Sequence, residues 1–151
     1  MIPEWENCTG IPDLFDKLDD YLGFIYLMEL EDGRYYIGRK QFWTKSGQYW
    51  RDSGWRDYTS SSNAVNECIN ESSSGLVSRR IIAAFRTKSA MRYAEASGII
   101  RSGSYLSRDK GLNWSFDNCK GTIKLEDTDE SQMKHLEEYF NEDFVNSRHA
   151  G

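Results

Sequence analysis

The stretch GFIYLMELEDGRYYIGRK, residues 23–40, decides the fold. β-branched and aromatic residues dominate both of its arms, and Asp32-Gly33 marks a chain reversal between them. We therefore predict a β-hairpin whose first strand carries GFIY at 23–26 and whose second carries YIG at 36–38.

Two registers of this hairpin are open. A two-residue loop at Asp32-Gly33 would pair Tyr26 with Arg39 and would separate the tyrosines of the two strands onto opposite faces. A three-residue loop, Glu31 to Gly33, instead pairs Tyr26 with Gly38 and closes on a left-handed glycine. We favour the second register, and we expect Gly38 to leave space beside the Tyr26 ring.

The favoured register gives the hairpin two different faces, because successive side chains of a strand alternate. One face is apolar and the other is polar and aromatic. The apolar face holds Ile25, Leu27, Tyr35 and Ile37, and the polar, aromatic face holds Tyr26, Tyr36 and Lys40.

Length and composition favour one intracellular domain. A chain of 151 residues can bury a stable single core, so we expect one domain over residues 1–151. Nothing resembles a signal peptide, and no apolar run approaches the roughly 20 residues of a membrane helix. Three cysteines without metal-type spacing are typical of free thiols, so we expect a cytoplasmic protein without a membrane partner.

Charge is segregated along the chain, although the net charge is only −5. Residues 1–32 hold one Lys or Arg against nine Asp or Glu, which gives −8. Residues 33–113 hold fourteen basic and six acidic residues, which gives +8, and residues 114–151 hold four and nine, which gives −5. A basic block between acidic flanks indicates a surface for a polyanion such as DNA.

Outside the hairpin, periodicity and capping residues predict the remaining elements. Residues 1–10 are expected to be loosely held, and 41–57 to form a long connection pinned to the core by Trp43 and Trp55. The predicted helices are Ile11 to Leu22, Ala64 to Glu71, Thr87 to Ile100 and Thr128 to Val145; the predicted strands are Val77 to Phe85 and, as a short one, Gly121 to Glu126.

GFIY and YIG resemble the two halves of the GIY-YIG nuclease core. Later blocks resemble a phage-encoded branch of that family and extend the likeness over residues 23–114; they are Phe42-Trp43, Trp55-Arg56-Asp57-Tyr58, Ser60-Ser61-Ser62, Tyr93-Ala94-Glu95 and Asn113. The resemblance implies an α/β fold of α+β type, a small three-stranded antiparallel sheet flanked by helices. An N-terminal acidic helix (1–22) and a C-terminal extension with an acidic amphipathic helix (115–151) would flank this core.

The family resemblance also implies an activity, a metal-dependent DNA endonuclease that hydrolyses phosphodiester bonds with Mg²⁺ or Mn²⁺. Tyr26 would position or deprotonate the water and Tyr36 would hydrogen-bond at the scissile phosphate. A phenol has a pKa near ~10, so Tyr26 as a base needs a cation, either Lys40 or, in the other register, Arg39. Glu95 would bind the metal. The asparagine that follows the family helix would be Asn113, or else Asn118.

The chain departs from the family pattern at two positions. Ser60 stands where the family has glycine, and the family's helix arginine has no counterpart between 64 and 71. Arg51 or Arg56 could replace that arginine. The expected nucleic-acid-binding residues are Arg51, Arg56, Ser61, Arg79 and Arg80. The alternative function is an inactive family member that binds nucleic acid or a host protein, and a protein partner could also supply the specificity of an active enzyme.

Overall fold

A computed structural model describes residues 2–60, 65–67, 75–106, 110–113 and 123–149. The fold is mixed α/β. Six strands are β1 (Trp5–Asn7), β2 (Gly23–Leu30), β3 (Tyr35–Gln41), β4 (Trp43–Ser46), β5 (Tyr49–Asp52) and β6 (Leu76–Phe85). The α-helices whose bounds lie within the described residues are α1 (Lys88–Ser102), α2 (Asp129–Tyr139) and α3 (Glu142–His149).

The main sheet has the strand order β1-β6-β2-β3, and β4 and β5 form a separate hairpin. The predicted three antiparallel strands are its β6, β2 and β3. A fourth strand, β1, runs parallel to β6. β3 is an edge strand of the sheet, so the outer side of its main chain is available for contacts with other parts of the chain.

The hairpin has the favoured register. Tyr26 pairs with Gly38 and Met28 with Tyr36, and Gly33 takes the left-handed conformation at φ +90°. The Tyr26 ring lies over Gly38, where the hydroxyl and ring carbons occupy the position that a Cβ would take. The missing side chain of Gly38 therefore lets the tyrosine lie flat against the neighbouring strand.

The sheet separates two buried layers. Ile25, Leu27, Tyr35 and Ile37 pack against the helices, as the alternation predicts. The Tyr26 face is aromatic, as predicted, but it is a second core rather than an open polar surface. Its members include Trp5, Phe24, Phe42 and Trp55.

The amino-terminal predictions were wrong. Residues 14–16 and 18–20 form two 3₁₀ turns in place of an α-helix over Ile11 to Leu22. The cause is local, because the Asn7 amide donates to the Ile11 carbonyl (2.6 Å) and the Thr9 hydroxyl accepts from the Ile11 amide (3.0 Å). Residues 5–7 are not loose either, because the indole of Trp5 donates to the carbonyl of Trp55 (3.0 Å).

The carboxy-terminal helix was predicted as one element and is two. Asn141 interrupts it and caps α3, since its Oδ1 accepts from the Phe144 amide at 3.0 Å. Phe140 and Phe144 still pack together, with ring centroids 5.0 Å apart. The short strand predicted at Gly121 to Glu126 is absent from its described part, residues 123–126, and 121–122 lie outside the described residues.

The middle of the chain largely follows its prediction. β6 matches the strand expected at Val77 to Phe85, and α1 matches the helix at Thr87 to Ile100, with Thr87 as its N-cap. Residues 65–67 are helical, and the rest of the helix predicted at Ala64 to Glu71 lies outside the described residues. Within the described part of the chain, no helix is long and apolar enough to cross a membrane.

Gly38→Ala is expected to destabilise the protein by about 1–3 kcal/mol, because a methyl group would collide with the Tyr26 ring in a close-packed layer. Gly75→Ala is the matched control, since a Cβ there meets no atom within 4 Å. Denaturant unfolding measures both free energies. Equal stability of the Gly38 variant and wild type would show that the ring does not depend on this glycine.

Candidate active site

Tyr26 is the most deeply placed of the predicted site residues, with 1% of its surface exposed. Its hydroxyl hydrogen-bonds with Tyr58 and Ser60. Burial raises the pKa of Tyr26 well above its ordinary value of 10.0, and neighbouring Tyr58 and Tyr36 raise it further. Tyr26 is therefore held as a neutral phenol in this conformation.

Tyr36 lies beside Tyr26 on the same face, with ring centroids 6.1 Å apart, and is half-buried. It also hydrogen-bonds with Ser60. Burial raises the pKa of Tyr36 to about 12, and the negative charge of Glu95 contributes to the rise. This second effect shows that the Glu95 carboxylate lies within electrostatic reach of the Tyr36 phenol.

Glu95 and Arg39 form an ion pair at the edge of the sheet. Arg39 Nη1 lies 2.8 Å from Glu95 Oε1, and the two side chains are 28% and 14% exposed. Arg39 comes from β3 and Glu95 from α1, which packs closely on β3 because Gly98 leaves room for Ile37 and Phe140. The two predicted site residues that sequence reasoning assigned to different tasks are thus brought into direct contact.

Asn113 binds the main chain of β3, a placement that does not match the catalytic role expected for it. Its Oδ1 accepts from the Ile37 amide (2.9 Å) and from the Ser104 hydroxyl (2.6 Å), and its Nδ2 donates to the Ile37 carbonyl (2.7 Å). Asn113 is 3% exposed. It is a positioning residue that fixes the edge strand next to Tyr36. The alternative, Asn118, lies outside the described residues.

Lys40 is on the Tyr26 face as predicted, but its ammonium lies over the Tyr58 ring, 4.4 Å from the centroid. Burial and the neighbouring phenols raise the pKa of Tyr26, whereas the base role predicted for Tyr26 needs a lowered pKa.

A groove of about 360 Å³ opens beside Lys40. Its lining is strongly basic, and the residues around it are Arg39, Lys40, Gln41, Thr44, Lys45, Tyr58, Lys88 and Met91. Four cations on one short path suit the phosphates of a nucleic-acid strand.

The two neighbouring arginines of β6 serve the fold. Arg79 is 4% exposed and donates to the carbonyls of Pro3, Arg56 and Tyr58 at 2.7–2.9 Å. This burial is at odds with the nucleic-acid contact predicted for Arg79. Arg80 points to the opposite layer and pairs with Glu6 (3.2 Å) and Glu29 (3.0 Å), so acidic partners already neutralise it.

The other predicted nucleic-acid contacts lie on the β4–β5 side of the molecule. Arg51 is exposed on β5, opposite Thr44. Arg56 is exposed, stacks over Trp55 at 4.4 Å and lies 3.4 Å from Asp52. Ser61 lies outside the described residues. Trp43 and Trp55 pin the connection as predicted, with Trp55 2% exposed and the Trp43 indole donating to the Leu18 carbonyl at 3.1 Å.

Sequence reasoning did not assign three of these residues to the site. Tyr58 and Ser60 hydrogen-bond with Tyr26, and Lys88 lines the basic groove. The signal for the first two was their block, WRDYTS at 55–60, which the resemblance had already singled out. Ser60, which replaces the family glycine, supplies a hydroxyl to both Tyr26 and Tyr36.

The donors at the sheet edge suit a hard cation that retains most of its water. Within the described ranges, no group of three or more His, Cys, Asp or Glu side chains could hold a metal. Mg²⁺ binds through as few as one or two carboxylates and keeps several waters. Glu95, whose charge acts on the Tyr36 phenol, fits this requirement, so a single-carboxylate site is chemically consistent with the donors present.

Paired strands with GFIY and YIG, followed by a helix with a glutamate at their edge, are the features of a GIY-YIG nuclease domain. The model of the family described as "Putative endonuclease segE, GIY-YIG domain" matches residues 5–118. The chain belongs to this GIY-YIG family. No curated protein and no solved structure matches the chain. The family match begins at β1, earlier than the core expected at 23–114.

The free energy of unfolding is expected to fall as pH rises from about 10 to about 12. Tyrosines of the unfolded chain ionise near pH ~10, whereas the raised pKa of Tyr36, about 12, keeps its proton in the folded state. Each such tyrosine contributes a slope of up to ~1.4 kcal/mol per pH unit. Stability from this source is complete below pH ~10 and is lost above it.

Denaturant unfolding over this pH range checks the slope. Tyr36→Phe should remove one tyrosine's share of it, whereas Tyr49→Phe, whose ring is 79% exposed, should leave it as in wild type. A Tyr36→Phe slope equal to that of wild type would contradict the assignment.

Proposed function

We propose that this chain is a DNA endonuclease that hydrolyses phosphodiester bonds with a divalent cation, Mg²⁺ or Mn²⁺. The observation that carries the proposal is the Arg39–Glu95 pair at 2.8 Å on the edge strand β3, within electrostatic reach of Tyr36. Family membership and the basic groove that begins at Arg39 support the same reaction.

Glu95 is proposed to hold the divalent cation, alone among the protein's carboxylates. When bound, such a cation offsets charge on the phosphate and acidifies a water. Arg39 neutralises the same carboxylate in the present conformation, so binding of a cation by Glu95 would release the guanidinium. The freed Arg39 would then be available to the phosphate as a planar, bidentate donor. Arg39 thus takes the part of the family's missing helix arginine.

The tyrosines are proposed to act as neutral hydrogen-bonding groups. Tyr36 is half-buried on the face of β3 that also carries Lys40, so its hydroxyl can donate to a phosphate oxygen or orient the water. Tyr26 is 1% exposed and its pKa is raised, so it supports Tyr36 through Ser60 rather than removing a proton itself. Lys40, held over Tyr58, is assigned to the phosphates of the bound strand.

A second function is favoured by the burial of Tyr26. In it the chain is an inactive family member that binds nucleic acid, or a host protein, without cutting. Plasmid nicking by wild type in Mg²⁺ and in EDTA separates the two functions, since only the enzyme produces cation-dependent open circles.

Glu95→Gln is expected to reduce nicking by about a thousandfold or more, because the amide keeps the side-chain size but loses the charge that holds the cation. The fold should be nearly unchanged, and DNA affinity should not fall, because the variant also releases Arg39. Plasmid nicking in Mg²⁺, with circular dichroism for the fold, measures this.

Glu130→Gln is the matched control, since Glu130 is 77% exposed on α2 and pairs only weakly, at 3.6 Å, with Lys134. It should nick like wild type. Full activity of the Glu95 variant would remove Glu95 from the site.

Binding of duplex DNA should weaken steeply with salt. Each phosphate neutralised contributes about −0.9 to the slope of log K against log salt. Without metal, Glu95 pairs with Arg39, so the other three cations of the groove predict a slope of about −3. Fluorescence anisotropy without metal measures the slope. Lys88→Ala should reduce its magnitude by about 1, and Lys134→Ala, on the remote α2, should not.

A slope near zero in wild type, or one that Lys88→Ala leaves unchanged, would show that DNA does not follow this groove.

A further inference from the structure

The β4–β5 hairpin presents two large aromatic side chains to solvent near its tip. Tyr49 is 79% exposed and Trp50 is 56% exposed, next to a turn that contains Gly47 at φ +63°. Solvent-exposed rings on a rigid two-stranded arm are available for stacking. The surroundings of the two rings differ, and the difference decides what each can bind.

The two rings lie on opposite faces of the hairpin. Tyr49 pairs with Ser46 and Arg51 pairs with Thr44, whereas Trp50 pairs with Lys45. Paired residues of an antiparallel ladder share a face and successive residues alternate. Tyr49 therefore shares its face with Arg51 and Thr44, and Trp50 projects to the other side.

The Trp50 side carries charges of both signs. Trp43 and Trp50 line a cavity of about 590 Å³ together with Asp19, Asp20, Glu126 and Arg86. Lys45 shares this face, with its ammonium 5.8 Å from the Trp50 ring centroid. Three carboxylates against these two cations leave no excess positive charge to attract a polyanion, and Lys45 lies over one face of the ring.

The Tyr49 side carries Arg51 and reaches the basic groove at Thr44. Thr44 lines that groove together with Arg39, Lys40, Lys45 and Lys88. Arg51 lies directly across from Thr44, and Tyr49 is two residues further along the same face. Two residues of a strand span about 7 Å, which is on the scale of one extended nucleotide. A strand that leaves the groove past Thr44 would meet Arg51 and then the Tyr49 ring.

We propose that the β4–β5 hairpin is a base-stacking arm, in which Tyr49 stacks on an unpaired nucleobase of the DNA strand held by the basic groove. The inference rests on the proposed function for the identity of the strand. Arg51 neutralises a phosphate of that strand beside the stacked base. Because only an unpaired base offers its full face, the substrate is DNA with a single-stranded segment next to the groove.

Anisotropy of a labelled single-stranded oligonucleotide and of its duplex, both without metal, tests the proposal. Tyr49→Ala should weaken single-strand binding roughly tenfold, because base–aromatic stacking is lost. Its effect on the duplex should be within about twofold, and its salt slope should equal that of wild type, because stacking releases no counterions. Tyr49→Phe, which keeps the ring, should bind like wild type.

Trp50→Ala is the matched control, because Trp50 is the other exposed aromatic residue of the hairpin (56%) and lies on the opposite face from Tyr49; it should bind within about twofold of wild type. Equal losses in the Tyr49→Ala and Trp50→Ala variants, or no loss in Tyr49→Ala, would overturn the stacking arm. A loss confined to the duplex would overturn it as well.

The plasmid assay keeps this outcome separate from that of the proposed function. Wild type that nicks DNA while Tyr49→Ala keeps its affinity would refute the arm and leave the nuclease. Wild type that never nicks, but loses single-strand affinity on Tyr49→Ala, would refute the nuclease and support the arm.

Discussion

The pairing of Tyr26 with Gly38 is the constraint on which the rest of the site depends. It lets the Tyr26 ring lie across the neighbouring strand, and it fixes the alternation of every other residue of β3. Tyr36 and Lys40 consequently share the aromatic face, while Arg39 turns toward the helices. A slip of one residue would exchange these faces and would leave Glu95 without its partner.

Two further contacts hold β3 in this register at the edge of the sheet. Asn113 satisfies both main-chain groups of Ile37, so β3 is held where an edge strand would otherwise offer unpaired groups. The Arg39–Glu95 pair then links that strand to α1. In the proposed reaction, a cation bound by Glu95 and a phosphate bound by Arg39 would separate the two side chains.

The parts of the structure governed by local rules could be predicted from sequence. The hairpin register followed from Asp32-Gly33 and strand alternation, and the start of α1 followed from Thr87 as an N-cap. Contacts between distant residues could not be predicted in this way. β1 forms because Trp5 docks on Trp55, fifty positions away, and that pairing leaves no trace in the local pattern.

The same distinction between local rules and distant contacts applies to the site residues. Alternation placed Tyr26, Tyr36 and Lys40 together, but burial decided what they can do, since the raised pKa of Tyr26 depends on Tyr58 and on the aromatic layer above it. Arg79 and Arg80 are adjacent, so they necessarily face opposite layers, and their carbonyl and carboxylate partners come from remote segments. Asn113 was recognised by its position, whereas its role in holding β3 is visible only in three dimensions.

Anomalous diffraction from Mn²⁺-soaked crystals tests the central claim most directly, because it locates the cation independently of any activity. The account predicts one Mn²⁺ peak at coordination distance, about 2.2 Å, from a Glu95 oxygen, with Arg39 displaced from that carboxylate. A Glu95–Arg39 ion pair that persists at saturating Mn²⁺, with metal bound elsewhere or nowhere, would contradict it.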